Sequence, residues 1–403
     1  MPRDHTGSTN HLVDSAATPT RSRGMSVTLG VPGRIMPPAD KAIEFAQKAE
    51  ADGYDAVWWP CHLMGWIPDS VWTEDMTGLA KYQANPHVHF EPLTMMGAAG
   101  AATERIRVGV NVTDTIRRHP AMLAQTALTV DHLARGRSIL GLGSGERMNV
   151  TPYGIEWRKP VGRLEEAIKV IRLLWESDGP VDFDGEFFKL DGAVLGLDPY
   201  EGRTPPIWIG AHGPRMLDIC GRLCDGWLPT NVTPETYAEK LSVIRASAEA
   251  AGRDPDSITT SMLAYVITAP DEETLERLCN QPLVRILFAA VDLSPETYAR
   301  HGSTSPFEGG TGFHSFVPTK VSRAEAQRVI SHIAPGIVRE GTLHGTPEQI
   351  ADQIRGYEDA GLRDVILWNI TPFADPELSG YSFKAMRQVK DLVGAGAVAG
   401  PAG

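Results

Sequence analysis

The chain has 403 residues, of which 42% are hydrophobic and 22% charged, as is typical of a globular protein with a large core. Its formal charge of −12 comes from 38 basic and 50 acidic residues, and this argues against nucleic acid or an anionic membrane as a partner. Four cysteines are too few for a disulfide framework, and no apolar run has the length of a membrane span. We therefore expect a cytoplasmic protein that acts on a small molecule, without stable membrane insertion.

Eight apolar runs rich in strand-forming residues recur along the chain, and helical patterns separate most of them. None alternates cleanly between apolar and polar residues, which is typical of parallel strands covered on both faces. The repeated order of strand and helix predicts a (β/α)8 TIM barrel, with a doubly wound sheet as the alternative. The eight runs are Val27–Val31, Ala56–Trp59, Ile106–Val110, Ser138–Leu142, Ile207–Ile209, Gly226–Leu228, Leu263–Thr268 and Val365–Trp368.

The barrel is predicted to form a single domain over residues 25–392. Residues 1–24 are polar and predict a disordered N-terminal tail, and Met25 is a candidate for the natural start. The last helix is expected over about Ser382–Leu392, and the Gly/Ala-rich residues 393–403 predict a flexible tail.

Three insertions interrupt the repeat, and we expect them at the C-terminal face of the barrel, where barrel active sites lie. In the second of them, Asp184-Gly185 predicts a β-hairpin over Val181–Leu190. The insertions lie near residues 60–91, 177–206 and 270–345.

A histidine and a tryptophan follow the second strand. His62 titrates near neutrality and could donate or accept a proton, although a hydrogen-bonded core histidine beside aromatic residues is an equally simple interpretation. Trp66 follows four residues later. His87 and His89 have metal-ligand spacing without evident Asp or His partners, so we interpret them as surface loop and predict no metal site.

The fourth strand ends in Gly141, Gly143 and Gly145, which let the backbone approach a ligand closely because no Cβ intervenes. Glu146 and Asn149 follow, and could bond to the polar edge of a ligand or to the ring nitrogens of a cofactor. Alternatively, Glu146 only begins a helix. We discount a dinucleotide fingerprint, because neither an immediate helix nor a following strand with an acidic end is present.

The fifth strand leads through Ala211-His212-Gly213 into a helix. Small residues at a helix N-terminus can place several N–H groups around a phosphate, and a tight turn is the alternative. Arg117 and Arg118 are expected to fix the start of the third helix.

Together these motifs resemble the luciferase-like flavin and deazaflavin oxidoreductases. Within them the chain is most similar to the branch that depends on coenzyme F420, and there to the phthiodiolone ketoreductase group, through residues 91–97, 112–120 and 152–160. The similarity extends from about Val27 to about Lys390. The motifs that carry it are His62 with Trp66, Val108–Asp114, Arg118–Ala121, Leu142–Asn149, Val181–Glu186, Pro206–Pro214 and Gly345–Glu348.

The resemblance implies a deazaflavin ring at the C-terminal mouth of the barrel. The family's non-prolyl cis peptide maps onto Asn111-Val112, and Val112 would support the back face of the ring. His62 would exchange the substrate proton, Trp66 would hold the substrate over the ring, and Glu146 would interact with the N1 side of the ring. The other implied cofactor-binding residues are Thr113 and Asp114 at the polar edge of the ring, Ser144, Gly145 and Asn149 along the cofactor, and Ala211, His212 and Gly213 at its phosphate.

The implied activity is hydride transfer between deazaflavin C5 and the carbonyl or secondary alcohol carbon of an apolar or lipid-like substrate, by a homodimer. An FMN-dependent luciferase-like monooxygenase and a non-catalytic deazaflavin-binding protein are the alternatives. The family's usual Asp before the histidine is Cys61 here, which leaves the control of the His62 tautomer open. Residues 227–234 lack the lysine of the sugar-phosphate branch, which argues against glucose-6-phosphate as substrate.

Overall fold

The computed structural model describes residues 27–396, apart from 292, 308–311 and 313–316. The predicted disordered tail at 1–24 and residues 397–403 of the predicted flexible tail lie outside the described residues.

A closed parallel barrel forms the centre of the molecule. Eight strands pair in the order β1-β2-β3-β5-β8-β9-β10-β12, and β12 pairs back to β1. All eight predicted runs are barrel strands, so the (β/α)8 barrel is confirmed and the doubly wound alternative is wrong. The strands are β1 (Thr28–Pro32), β2 (Ala56–Trp59), β3 (Arg107–Val110), β4 (Thr113–Asp114), β5 (Ser138–Gly143), β6 (Val181–Asp184), β7 (Lys189–Ala193), β8 (Ile207–Ile209), β9 (Gly226–Trp227), β10 (Thr259–Thr268), β11 (Thr342–Gly345) and β12 (Asp364–Asn369).

The helices surround the barrel, and most of them begin at a proline. Proline costs no hydrogen bond at this position, because the N–H groups of the first helical turn have no acceptor within the helix. The last helix is longer than predicted, so residues 393–396 are helical. The helices are α1 (Ala39–Ala51), α2 (Pro92–Ala101), α3 (Pro120–Leu133), α4 (Pro160–Glu176), α5 (Pro214–Leu223), α6 (Pro234–Ala250), α7 (Glu272–Cys279), α8 (Pro282–Ala289), α9 (Pro295–Arg300), α10 (Arg323–His332), α11 (Pro335–Glu340), α12 (Pro347–Asp359), α13 (Thr371–Ala374) and α14 (Ser379–Gly396).

Two tryptophans in contact fill the barrel interior below the C-terminal mouth. The ring centroids of Trp58 and Trp208 are 5.2 Å apart, and both side chains are buried. Glycines on neighbouring strands make room for them: a Cβ at Gly109 would lie 2.3 Å from the Trp58 ring, and one at Gly226 would lie 2.4 Å from the Trp208 ring. The barrel interior is therefore packed with side chains beneath the mouth.

The first and third insertions share one hydrophobic core above the barrel. Ile67 and Trp72 from residues 60–91 pack in the same buried cluster as Leu287 of α8 and Ile337 of α11. The third insertion, expected only as a Gly-, Pro- and Ser-rich segment, contains α7 to α11 and β11, which pairs with β10 outside the barrel. Both insertions lie on the cavity side, as predicted.

The second insertion has a different position from the one predicted. It follows the helix α4 instead of a strand, and its hairpin packs on the outside of α3 and α4. Glu166 of α4 accepts hydrogen bonds from the backbone N–H of Glu186 and Phe187, both at 2.8 Å. The hairpin itself is confirmed, although residues 185–188 form a four-residue loop in place of a two-residue turn.

Candidate active site

A cavity of about 970 Å³ opens at the C-terminal mouth of the barrel. His62 and Trp66 after β2, Val112 after β3, and Glu146 and Asn149 after β5 all line it. The carboxyl ends of the parallel strands bring these side chains together from sequence positions up to 87 residues apart. The structure therefore brings together the three predicted catalytic residues, His62, Trp66 and Glu146.

Val112 lies at the base of the cavity, on the interior hydrophobic cluster. The Asn111-Val112 peptide bond is cis, as predicted. A Cβ at Gly143 would lie 2.6 Å from Val112 Cγ2, and a Cβ at Gly141 would lie 1.9 Å from the carbonyl oxygen of Val110. The glycines of β5 are thus required by close packing within the protein, a reason that differs from the ligand approach expected from sequence.

Asn149 connects the loops that follow β2 and β5. Its Oδ1 accepts hydrogen bonds from the backbone N–H groups of Leu63 at 2.8 Å and Met64 at 2.9 Å. Since a backbone N–H can only donate, the orientation of the amide is fixed and its nitrogen is the donor. Nδ2 donates to His62 Nδ1 at 2.8 Å and to Glu146 Oε2 at 2.9 Å. Asn149 therefore positions both candidate catalytic groups.

The hydrogen bond from Asn149 determines the tautomer of His62. Because Nδ1 accepts the hydrogen bond from Asn149 Nδ2, the proton of the neutral ring is on Nε2. Among the described residues, none hydrogen-bonds to Nε2, and the ring lines the cavity. Trp66 lies edge-on to His62, with ring centroids 4.2 Å apart. The site thus presents an imidazole N–H to a ligand in the cavity.

Burial shifts the pKa values of His62 and Glu146 in opposite directions. Burial, then the electrostatic influence of His89 and the positive charge of Arg117, lower the pKa of His62 well below its ordinary value. Burial raises the pKa of Glu146 to about 7, with a smaller contribution from the charge of Asp114. The hydrogen bond from Asn149 and the charge of Arg117 oppose that rise. Near neutral pH, His62 is therefore uncharged while Glu146 changes its protonation.

The carboxylate of Glu146 is also close to His62 itself. Its Oε2 atom lies 3.2 Å from His62 Nδ1, and the Glu146 side chain remains 28% exposed toward the cavity. A proton on the carboxyl group can consequently reach the ring nitrogen without an intervening residue.

Cys61 accepts three hydrogen bonds in the position where the family usually has Asp. Its sulfur is 3.3 Å from Thr113 Oγ1, 3.2 Å from Arg117 Nη2 and 3.2 Å from Arg118 Nη1. The two arginines therefore hold the end of β2 against β4, and do more than begin the third helix. Asn149, and not Cys61, orients His62.

The predicted cofactor-binding residues have different positions relative to the cavity. Thr113 and Asp114 line it, but the carboxylate of Asp114 accepts hydrogen bonds from Arg117 Nε at 2.5 Å and from two backbone N–H groups. Ala211 is fully buried, and its carbonyl accepts from Trp227 Nε1 at 2.9 Å. The predicted residues that also line the cavity are Asn111, Ser144, Gly145 and His212, whereas Ala211 and Gly213 are not part of its lining.

Several residues that were not predicted from the sequence also line the cavity, among them His89 and Arg117. His89 lies 5.4 Å from His62 between ring centroids, so the interpretation of its loop as plain surface is wrong at this position. Arg117 is buried beside Asp114. The spacing of these two opposite charges, three residues apart, could have predicted their ion pair from the sequence. No sequence pattern identified His89, because its insertion follows no regular element.

Comparison with known proteins agrees with this geometry. A family model described as luciferase-like monooxygenase matches residues 15–364, most of the chain. The chain belongs to this family.

Named relatives of this luciferase-like protein include ketone and pterin reductases. It is 38% identical over 339 residues to the phthiodiolone/phenolphthiodiolone dimycocerosates ketoreductase of Mycobacterium tuberculosis, covering 83% of this chain and 88% of the relative. It is 27% identical to the 5,10-methylenetetrahydromethanopterin reductase of Archaeoglobus fulgidus, covering 72% and 84% of the two chains. The family resemblance seen in the sequence is confirmed.

The fold is also that of a solved enzyme. An F420-dependent secondary alcohol dehydrogenase in complex with an F420-acetone adduct superposes with a TM-score of 0.70 and 24% identity, over 92% of this chain and 99% of that one. Within the described residues, no three His, Cys, Asp or Glu side chains are grouped so as to hold a metal ion. None of the helices there combines the length and apolarity needed to cross a membrane.

Proposed function

We propose that this protein is an F420-dependent oxidoreductase that transfers hydride between the cofactor and the carbonyl carbon of an apolar substrate. Reduced F420, when bound, supplies the hydride from C5 of its deazaflavin ring. The observation that carries the proposal is the arrangement around His62: a ring N–H directed at the cavity, with a titrating carboxyl group on its other nitrogen.

The mouth of the barrel suits a flat ring with a polar edge. Val112 offers an apolar surface, and Oδ1 of Asn111 is buried without a partner among the described residues. Ser144, Gly145 and His212 line the same cavity. We assign these residues to the cofactor, and Thr113, Asp114, Ala211 and Gly213 remain predicted cofactor-binding residues.

The proton that accompanies the hydride passes through His62. During ketone reduction the carbonyl oxygen gains negative charge, and the Nε2–H of His62 donates to it. The oxygen takes that proton while Nδ1 takes one from the carboxyl group of Glu146, so that the ring stays neutral throughout. Alcohol oxidation runs the same transfers backward. A positioned acid or base of this kind contributes about 10²- to 10⁴-fold in rate.

The substrate side of the cavity is apolar and aromatic. Trp66 and Trp368 have ring centroids 5.2 Å apart, and Tyr265 lies 5.2 Å from Trp368. Leu263 and Phe373 also line the cavity. Burying hydrocarbon against such a surface contributes about 25 cal/mol for each Å² removed from water. We therefore infer a substrate whose reacting carbonyl is embedded in hydrocarbon; reduction of a ketone is also the activity named for the 38% identical relatives.

Equilibrium dialysis with F420 and with FMN, each against the purified protein, tests the cofactor. We expect retention of F420 and little retention of FMN; a preference for FMN would defeat the proposal in favour of a monooxygenase. Reduced F420 is then mixed with a panel of ketones, and its oxidation is followed by absorbance. Binding of F420 without oxidation by any ketone, and without reduction by any alcohol, would identify a carrier protein instead. A homodimeric state and a cytoplasmic location remain predictions.

A further inference from the structure

The cavity extends beyond the barrel mouth, into a gap between the first and last helices. Around the barrel, α2 packs on α3, α5 on α6 and α12 on α14. α1 and α14 follow the paired strands β1 and β12, yet these two helices approach each other less closely than those pairs do. The cavity continues into the space between them, past the ends of β1 and β12.

This space, which we call the seam, is lined mainly by apolar side chains. Phe383 of α14 is 49% exposed above it, while Ala49 and Met386 are buried along its sides. A single exposed apolar side chain is ordinary on a protein surface. One that borders an apolar cavity, as Phe383 does, is more typical of a binding surface. The polar lining of the seam consists of Lys48, Asp52, Tyr54 and Arg387, and Lys48 forms an ion pair with Asp52 at 3.0 Å. The apolar residues that define the seam are Ile35, Met36, Phe45, Ala49, Phe383 and Met386.

The order of the barrel strands places the seam far from His212, the residue predicted to lie at the cofactor phosphate. From β1, the barrel order passes β2, β3 and β5 before it reaches β8, so the loop that carries His212 is half-way around the eight strands. A cofactor that extends from Val112 toward His212 thus points away from the seam. Ring contacts lead from His62 through Trp66 and Trp368 to Phe373 of α13, and α13 packs on α14 beside the seam.

We propose that the seam binds a long alkyl chain of the substrate, with the reacting carbonyl beside His62 and the chain extending outward between α1 and α14. This inference rests on the proposed function and deepens it, because it assigns a length to the substrate. The seam is continuous with the catalytic cavity, and its walls offer hydrocarbon, so hydrocarbon is the complementary ligand.

The test compares methyl ketones from 2-butanone to 2-dodecanone as oxidants of reduced F420. Each methylene that enters the seam should raise kcat/KM about fourfold, until the seam is full. Phe383→Asp places a charge at the seam from an already exposed position, so the fold should tolerate it. We expect it to lower the ratio of kcat/KM for 2-dodecanone over 2-butanone at least tenfold. Val243→Asp is the control, because Val243 is 43% exposed on α6 and is not part of the cavity lining.

Several outcomes would overturn the inference. If 2-butanone is reduced but kcat/KM does not rise with chain length, the seam is not a chain site while the proposed function stands. An equal ratio in Phe383→Asp and the wild type leads to the same conclusion. If sedimentation shows that Phe383→Asp changes the oligomeric state, the seam is instead an interface between two copies of the chain.

A second measurement does not depend on turnover. A 2-dodecanone analogue with a photoreactive diazirine at its far end is irradiated with the F420-loaded protein, and the labelled peptides are identified by mass spectrometry. Labels within residues 45–49 or 383–387 support the seam, even if no ketone is reduced. Labels confined to other segments contradict it.

Discussion

Replacing Glu146 by Gln should stabilise the protein at alkaline pH while it removes activity. The pKa of Glu146 is raised from 4.5 to about 7, chiefly by burial. At about 1.36 kcal/mol for each pKa unit, the charged carboxylate costs the folded state about 3 kcal/mol above pH 7. Below pH 4.5 both folded and unfolded chains are protonated and the cost disappears. Gln keeps an oxygen for Asn149 Nδ2 but never ionises, so the advantage of the variant should grow as pH rises.

Urea unfolding at pH 4.5, 6 and 8 measures this difference in free energy of unfolding. In the same variant, ketone reduction should fall by about 10²- to 10⁴-fold, because His62 has lost its proton source. Reduction by the wild type should also fall as pH rises through about 7, whereas the variant should lack that transition. A stability difference that does not change with pH would show that Glu146 has an ordinary pKa, and the proton pathway would then be wrong.

Glu50 provides a matched control, because its pKa is shifted downward whereas that of Glu146 is shifted upward. Its Oε1 accepts hydrogen bonds from the backbone N–H groups of Glu104 and Ile106, both at 2.9 Å, and also from Arg105. Burial opposes ionisation, but these bonds outweigh it and lower the pKa of Glu50. Glu50→Gln should therefore destabilise the protein near neutral pH, with a difference that shrinks as the pH falls through the acid range.

Three further substitutions test separate parts of the molecule. His62→Ala should leave F420 binding by equilibrium dialysis within a few-fold, while turnover falls by about 10²- to 10⁴-fold; equal turnover would exclude His62 from the mechanism. Gly143→Ala places a Cβ 2.6 Å from Val112 Cγ2, so we expect weaker F420 binding and a loss of about 1–3 kcal/mol in urea unfolding. Gly356→Ala, inside α12 with no heavy atom within 4 Å of the added Cβ, should instead stabilise the protein by about 0.5–1 kcal/mol.

The barrel could be predicted because each strand carries its own local signal. A buried parallel strand is a short apolar run, and the helix that follows it has its own periodicity, so the repeat is visible without any tertiary information. β10 was the one strand predicted markedly too short, since its first residues, Thr259 to Met262, mix polar and apolar side chains. The helices of the third insertion were missed because none of them is longer than ten residues.

The site was predictable only in part, because its geometry depends on contacts across the barrel. The ends of β2 and β5 identified His62 and Glu146, but nothing in the spacing indicated that Asn149 would bond to both. The cofactor role implied for Asn149 remains a prediction, and its amide is already fully used within the protein. The glycines of β5 suggested a ligand, whereas a Cβ at Gly141 would meet the carbonyl oxygen of Val110 and one at Gly143 would meet the side chain of Val112. The sequence indicates which strand ends carry polar groups. Packing determines which of these groups remain available to a ligand and which are hydrogen-bonded within the protein.

The aromatic floor of the barrel has a practical consequence for spectroscopy. Trp66, Trp72 and Trp368 line the cavity, and Trp58 and Trp208 pack in the cluster beneath Val112, so five of the nine indoles in the chain lie at or below the mouth. A conjugated ring bound in the mouth would lie close enough to these indoles to accept their excitation energy. Tryptophan fluorescence should therefore be quenched when the cofactor binds in the mouth, so that cofactor binding can be followed without an added label.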